Sequence, residues 1–100
     1  MKRRLFILTM IIGLGTSLMA DGKSLYKNCA GCHGDNGQTK ALHLSKKIAG
    51  QSATKTIKQL KAYKNGSLDQ YGLGDIMKVQ AATLSPKNME ELANYIATLK

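Results

Sequence analysis

Two cysteines stand three positions apart in Lys27-Asn28-Cys29-Ala30-Gly31-Cys32-His33-Gly34, with a histidine directly after the second. Two thiols and an imidazole that close together can do four kinds of chemistry. A dithiol can cycle with a disulfide, but that use of C-x-x-C belongs at the end of a strand in a β-α-β setting; the chain shows little strand signal. A structural zinc ion needs four ligands. Cys29, Cys32 and His33 do not easily bind it together from one tight turn, and the only further candidate is His43. A plain disulfide would close too small a loop to stabilise much. The fourth chemistry is thioether attachment: each thiol adds to one vinyl group on a porphyrin edge, and His33 is then held beneath the ring to ligate its iron. C-x-x-C-H is the signature of that haem attachment. Cys29 and Cys32 are therefore the expected covalent anchors of one haem, and His33 an expected axial ligand.

The elements that must position these residues fit into 100 residues, enough for one small domain. Lys2, Arg3 and Arg4 precede an apolar run from Leu5 to Leu18, and Ala20 offers a small residue for cleavage. This is the three-part layout of a secretory signal peptide. The run is about 14 residues, short of the roughly 20 that span a bilayer. The expected organisation is a signal peptide over 1–20, cleaved after Ala20, and a monohaem domain over 21–100 in the periplasm. No cysteine follows the run closely, so lipoprotein attachment is not expected. Export fits the motif, because thioether attachment is not completed on the cytoplasmic side.

The remaining 80 residues make a thin core, so a cofactor is expected to fill it. Without haem the chain is expected to be poorly ordered. It holds twelve lysines, no arginine and six carboxylates, a formal charge of +6. Nucleic-acid readers use arginine for bidentate contacts, and there is no aromatic stacking motif. Lysine suits steering toward acidic proteins or anionic membrane faces instead.

The periodicities predict an all-α fold of three to five helices. A short helix over Asp21 to Ala30 leads into the motif, with Asp21 as its N-cap or first-turn acid. A weak helix is predicted from Thr39 to Ala49. Ser52 caps a helix over Ala53 to Lys64, with Ile57, Leu60 and Lys64 at helical spacing and Asn65-Gly66 ending it. Ser67 to Gly74 reads as a loop, and the following Met77 segment is read as loop too. Ser85-Pro86 starts the strongest helix, predicted to run to about Thr98, with Met89, Leu92, Ala93, Ile96 and Leu99 as its apolar stripe.

With these residues in place, the chain resembles the class I c-type cytochromes, in particular the small soluble monohaem kind of bacteria. The likeness runs from Gly22-x-x-x-Tyr26 through Cys29-x-x-Cys32-His33-Gly34 to Leu92-x-x-Tyr95. The resemblance implies a cytochrome c fold around one covalent haem c, with first and last helices crossing near Gly22. It also implies a periplasmic one-electron carrier, not a catalyst. The implied partners are a donor like quinol–cytochrome c reductase and a terminal oxidase or peroxidase as acceptor. Lys27, Lys40, Lys46, Lys47 and Lys78 are expected to supply a lysine-rich haem edge.

Methionine is the usual sixth ligand in such carriers; its soft thioether favours ferrous iron. Outside the expected signal peptide only Met77 and Met89 remain. Met89 falls on the last helix's apolar stripe, so packing explains it. Met77 precedes Leu84-Ser85 by the stretch that the resemblance implies for the ligand, and is assigned that role. His43, ten residues after His33, is read as a surface or propionate-region histidine rather than a second axial ligand. Relatives often place a proline after the motif, whose carbonyl accepts the axial histidine's ring N–H. Pro86 is the only proline here, so a carbonyl from residues 34–50 is expected to orient His33. The alternative function is a haem sensor or enzyme subunit with a labile sixth ligand. An open site lacking a methionine ligand would favour it.

Overall fold

The computed structural model describes residues 21–100; residues 1–20, and with them the expected signal peptide and its cleavage point, lie outside the described residues. Five α-helices and one 3-10 turn make up the described chain: α1 (Gly22–Tyr26), α2 (Ala30–His33), the turn Ala41–His43, α3 (Ala53–Asn65), α4 (Gly74–Ala81) and α5 (Pro86–Thr98). No strand occurs among the described residues. The all-α expectation holds, and no described helix is long and apolar enough to cross a membrane.

α5 is built as its sequence predicts. Ser85 Oγ accepts from the Asn88 N–H at 3.0 Å, and Asn88 Oδ1 accepts from the Ser85 N–H at 3.1 Å. This reciprocal cap satisfies two backbone donors that would otherwise lack partners. Met89, Leu92, Ala93 and Ile96 are buried along one face. Each large aliphatic removed from water there contributes about 1.5–3 kcal/mol. α3 is equally regular: Ser52 Oγ accepts from the Lys55 N–H, and Gly66 closes the helix at φ 82°. That left-handed conformation suits a residue with no Cβ.

Three expectations need correction. The helix over Asp21 to Ala30 divides. Asp21 Oδ1 accepts from the Ser24 N–H at 2.7 Å and starts α1, but the chain turns at residues 27–29 and begins α2 inside the motif itself. The weak helix over Thr39 to Ala49 shrinks to one 3-10 turn, because Leu42 and His43 adopt φ of 50° and 63°. The Met77 segment is helical rather than loop. Asp69 Oδ1 accepts from the Gly74 N–H at 2.8 Å and nucleates α4, which then packs on α3. Ile76 and Val79 depress its intrinsic propensity, so tertiary packing decides that helix.

α1 and α5 meet where the two ends of the described chain come together. A Cβ at Gly22 would overlap the Glu91 carbonyl oxygen and stand 2.5 Å from Tyr95 Cβ. The approach places Tyr26 against Tyr95, ring centroids 5.6 Å apart and tilted by 51°, an arrangement that aromatic quadrupoles favour. The Tyr26 hydroxyl donates to the Gly34 carbonyl at 2.6 Å, which ties the helix pair to the residue that follows His33.

Two outcomes follow from this contact. Gly22→Ala should cost about 2 kcal/mol through overpacking against backbone, read as a lower denaturant midpoint of the holoprotein. Tyr26→Phe should cost about 1 kcal/mol at neutral pH, the net worth of one hydrogen bond. Burial first, then the Cys29 neighbour, push the Tyr26 phenol from 10.0 up to about 12. A group raised in this way stabilises fully below pH 10.0 and loses that contribution as pH climbs toward about 12. The stability gap between wild type and Tyr26→Phe should therefore close across that window in alkaline denaturant titrations.

Candidate haem site

α2 is one turn long, and its brevity matters. The His33 N–H donates to Cys29 O at 3.0 Å and the Cys32 N–H donates to the same oxygen at 3.3 Å. The turn puts both thiols and the imidazole on the wall of one cavity of about 300 Å³. The thiols are not bonded to each other; Cys29 is half-buried and Cys32 exposed. Burial, and then the neighbouring Cys32, push the Cys29 thiol up. Burial pushes the His33 imidazole down, which favours the neutral ring that can donate a lone pair to iron.

His33 Nδ1 is buried and meets no hydrogen-bond partner among the described residues. The expected carbonyl from residues 34–50 is not supplied. The loop uses its own acceptors. Gly34 O accepts from the Tyr26 hydroxyl and from the Gly37 N–H, while Gly37 O accepts from the N–H groups of Ile48 and Ala49. Both carbonyls have filled their two lone pairs.

The far walls come from α3, α4 and α5. Met77 is half-buried and lines this cavity. Met89 is 2 % exposed, belongs to the apolar core with Tyr26, Leu60, Leu92 and Ile96, and is absent from the cavity wall. His43 is exposed on its turn and does not line the cavity either. The sequence-predicted Cys29, Cys32, His33 and Met77 thus share one cavity.

Several wall residues were not anticipated. Beside Leu60 and Tyr63 of the expected α3 stripe, the face turned to the cavity carries Lys55, Thr56 and Gln59, while Ile57 and Lys64 do not line it. Gln51 Nε2 donates to Thr56 Oγ1 at 2.9 Å and to Gln59 Oε1 at 2.6 Å, so the wall includes a bonded polar cluster. The available signal was Thr56 and Gln59 at helical spacing with Leu60 and Tyr63. Polar residues in that stripe suit a wall that faces a cofactor with a polar edge. Of the five lysines expected at the haem edge, Lys46 and Lys47 line the cavity, joined by Lys55. Lys78 lies over the end of α3, with Nζ 3.3 Å from where a Cβ on Gly66 would stand.

These features fit haem: paired unbonded thiols, a neutral imidazole beside them on the cavity, and a largely apolar cavity with lysines and amides at its margin. Among the described residues no three His, Cys, Asp or Glu side chains converge on one metal-binding point, which leaves a zinc site short of ligands. The sequence pattern of the family described as Cytochrome c matches residues 19–100. Cytochrome c-553 of Nitratidesulfovibrio vulgaris is 34% identical over 106 residues, covering 99% of this chain and 100% of that protein. Cytochrome c-553 of Helicobacter pylori is 38% identical over 91 residues, covering 90% and 91%. Cytochrome c-554(547) of Halothiobacillus neapolitanus is 40% identical over 89 residues, covering 81% and 96%. With its motif, its cavity and these relatives in agreement, the chain belongs to the cytochrome c family, an electron carrier with one covalently bound haem c.

Proposed function

We propose that the protein is a periplasmic one-electron shuttle, with Cys29 and Cys32 as thioether anchors and His33 and Met77 as the two axial iron ligands. The observation that carries the reading is that Met77 lines the same cavity as His33, while the other methionine, Met89, is occupied in the core. Bound haem supplies one iron that alternates between ferrous and ferric. The chain's residues do the rest. His33, kept neutral by burial, offers a nitrogen donor; Met77 offers a thioether that favours the reduced state. Two protein ligands leave little to rearrange on oxidation and keep oxygen from the iron. Leu60, Leu92 and Ile96 line the cavity and exclude water.

Residues 1–20 would then direct export and be cleaved after Ala20, leaving the monohaem domain 21–100. The proposed donor resembles quinol–cytochrome c reductase, and the acceptor is a terminal oxidase or peroxidase. Lys46, Lys47 and Lys55 at the cavity margin would steer their acidic surfaces toward the haem.

The decisive experiment is absorption spectroscopy of the exported holoprotein in both oxidation states. Ferric iron bound by methionine gives a weak far-red band. Met77→Ala should abolish that band and open the ferrous form to carbon monoxide. Met89→Ala should keep the band while losing about 2–5 kcal/mol of stability. Loss of the band in Met89→Ala alone would transfer the ligand role. A wild-type spectrum without the band would favour the sensor or enzyme reading. Second-order rates with acidic redox proteins should fall as ionic strength rises; rates flat with salt would remove the steering role of the lysines.

A further inference from the structure

The helix that carries Met77 packs on α3 but buries little of its own. Within α4 only Gly74 and Ala81 are buried, and neither brings a large side chain to the interior. Ile76 and Val79 are 48% and 69% exposed. A two-turn helix with so little apolar burial opens locally at low cost while the rest of the fold stays closed. A methionine that serves as an iron ligand cannot ride on a helix that opens freely. The restraint on α4 is found at its two ends.

At the start, Asp69 Oδ1 accepts from the Gly74 N–H at 2.8 Å, a tie between residues five apart. Beyond the other end, Lys64 Nζ donates to Leu84 O at 2.6 Å, across 20 residues of chain. This second bond joins two separate parts of the fold. Lys64 stands in the last turn of α3, whose Leu60 and Tyr63 form wall of the haem cavity. Leu84 is coupled back to α4 by backbone bonds. Its N–H donates to Ala81 O at 3.0 Å, and the Ala82 N–H donates to Val79 O at 3.4 Å. No other donor reaches Leu84 O among the described residues. The bond is short and its donor is charged, which is the stronger kind of hydrogen bond.

We propose that Lys64 is a positioning residue for the sixth ligand: its bond to Leu84 O straps the α4 segment to α3 and keeps the Met77 thioether at the iron. This role rests on the reading of Met77 as an axial ligand. It gives one lysine of the cationic α3 a task other than steering partners. Lys58 and Lys61 are exposed on the same helix and make no such bond. Without the strap α4 opens more often, and the position that Met77 leaves admits an outside ligand.

The test is imidazole binding to the ferric holoprotein. Imidazole enters only where Met77 has left, so its apparent affinity reports the open fraction. Lys64→Ala should bind imidazole about fivefold more tightly than wild type, the factor expected for loss of one hydrogen bond, and should keep the far-red band when no imidazole is added. Lys64→Arg, which retains a charged donor long enough to reach Leu84 O, should restore the affinity of wild type. Lys61→Ala removes the same charge from the same helix and should leave the affinity unchanged. The gain in Lys64→Ala should also be insensitive to low urea, because local opening exposes little surface; binding through global unfolding would rise steeply with urea. Equal affinities in wild type and Lys64→Ala overturn the role. So do an equal gain in Lys61→Ala, failure of Lys64→Arg to restore the affinity, or a steep urea dependence. A wild-type spectrum without the far-red band removes the Met77 reading and this role together, whereas an intact band with unchanged imidazole affinity in Lys64→Ala removes the role of Lys64 alone.

Discussion

A missing side chain at Gly22 is the constraint on which the rest of the structure depends. Because nothing projects from its Cα, α1 lies directly against the backbone of α5 at Glu91 and the root of Tyr95. That contact joins the two ends of the described chain and puts Tyr26 beside Tyr95. Tyr26 then reaches Gly34 with its hydroxyl and pins the segment carrying the two thiols and the imidazole. A five-residue helix such as α1 is far too short to be stable alone. It persists because one face is buried and both its start and its end are tied by hydrogen bonds.

The haem cavity is what residues 21–100 enclose when their helices surround something other than each other. α3 and α5 pack together, α3 and α4 pack together, and α1 packs on α5; the remaining interior is the cavity. Its chemistry is graded. Leu60, Leu92 and Ile96 supply apolar wall, and Gln51, Thr56 and Gln59 form a bonded polar patch. Apolar contact suits a porphyrin face and amides suit its carboxylate edge, so the grading matches an amphipathic planar ligand. The unpartnered Nδ1 of His33 shows how local bonding limits the site: the nearby loop carbonyls at Gly34 and Gly37 are already spent on holding the loop.

Lysine's abundance conceals several distinct roles that only position separates. Lys64 Nζ donates to Leu84 O at 2.6 Å and ties α3 to the segment before α5. Lys78 lies over the carbonyl end of α3, where a cation complements the helix dipole. Lys46, Lys47 and Lys55 stand at the cavity margin. A count of charges treats these alike; the fold assigns some to holding helices and leaves others to solvent and partners.

The residues by themselves determined the chemistry. Cys29-x-x-Cys32-His33 has one reading that satisfies spacing and helical pattern together, because covalent attachment imposes its geometry within five consecutive residues. Local signals also fixed α3 and α5, since Ser52, Gly66 and the Ser85-Pro86 pair act over one helical turn. Tertiary structure decided the rest. α4 forms despite Ile76 and Val79, because Asp69 caps it across the loop and α3 covers one of its faces. The helix anticipated after Thr39 yields to a strained turn at Leu42 and His43. The cavity face of α3 includes Thr56 and Gln59, which periodicity could not select, since hydrophobic patterning locates burial against protein and is silent about burial against a cofactor with a polar edge. Met77 reached the cavity wall by sequence argument, but its place on a helix came from packing between segments distant in the chain, information that no local stretch contains.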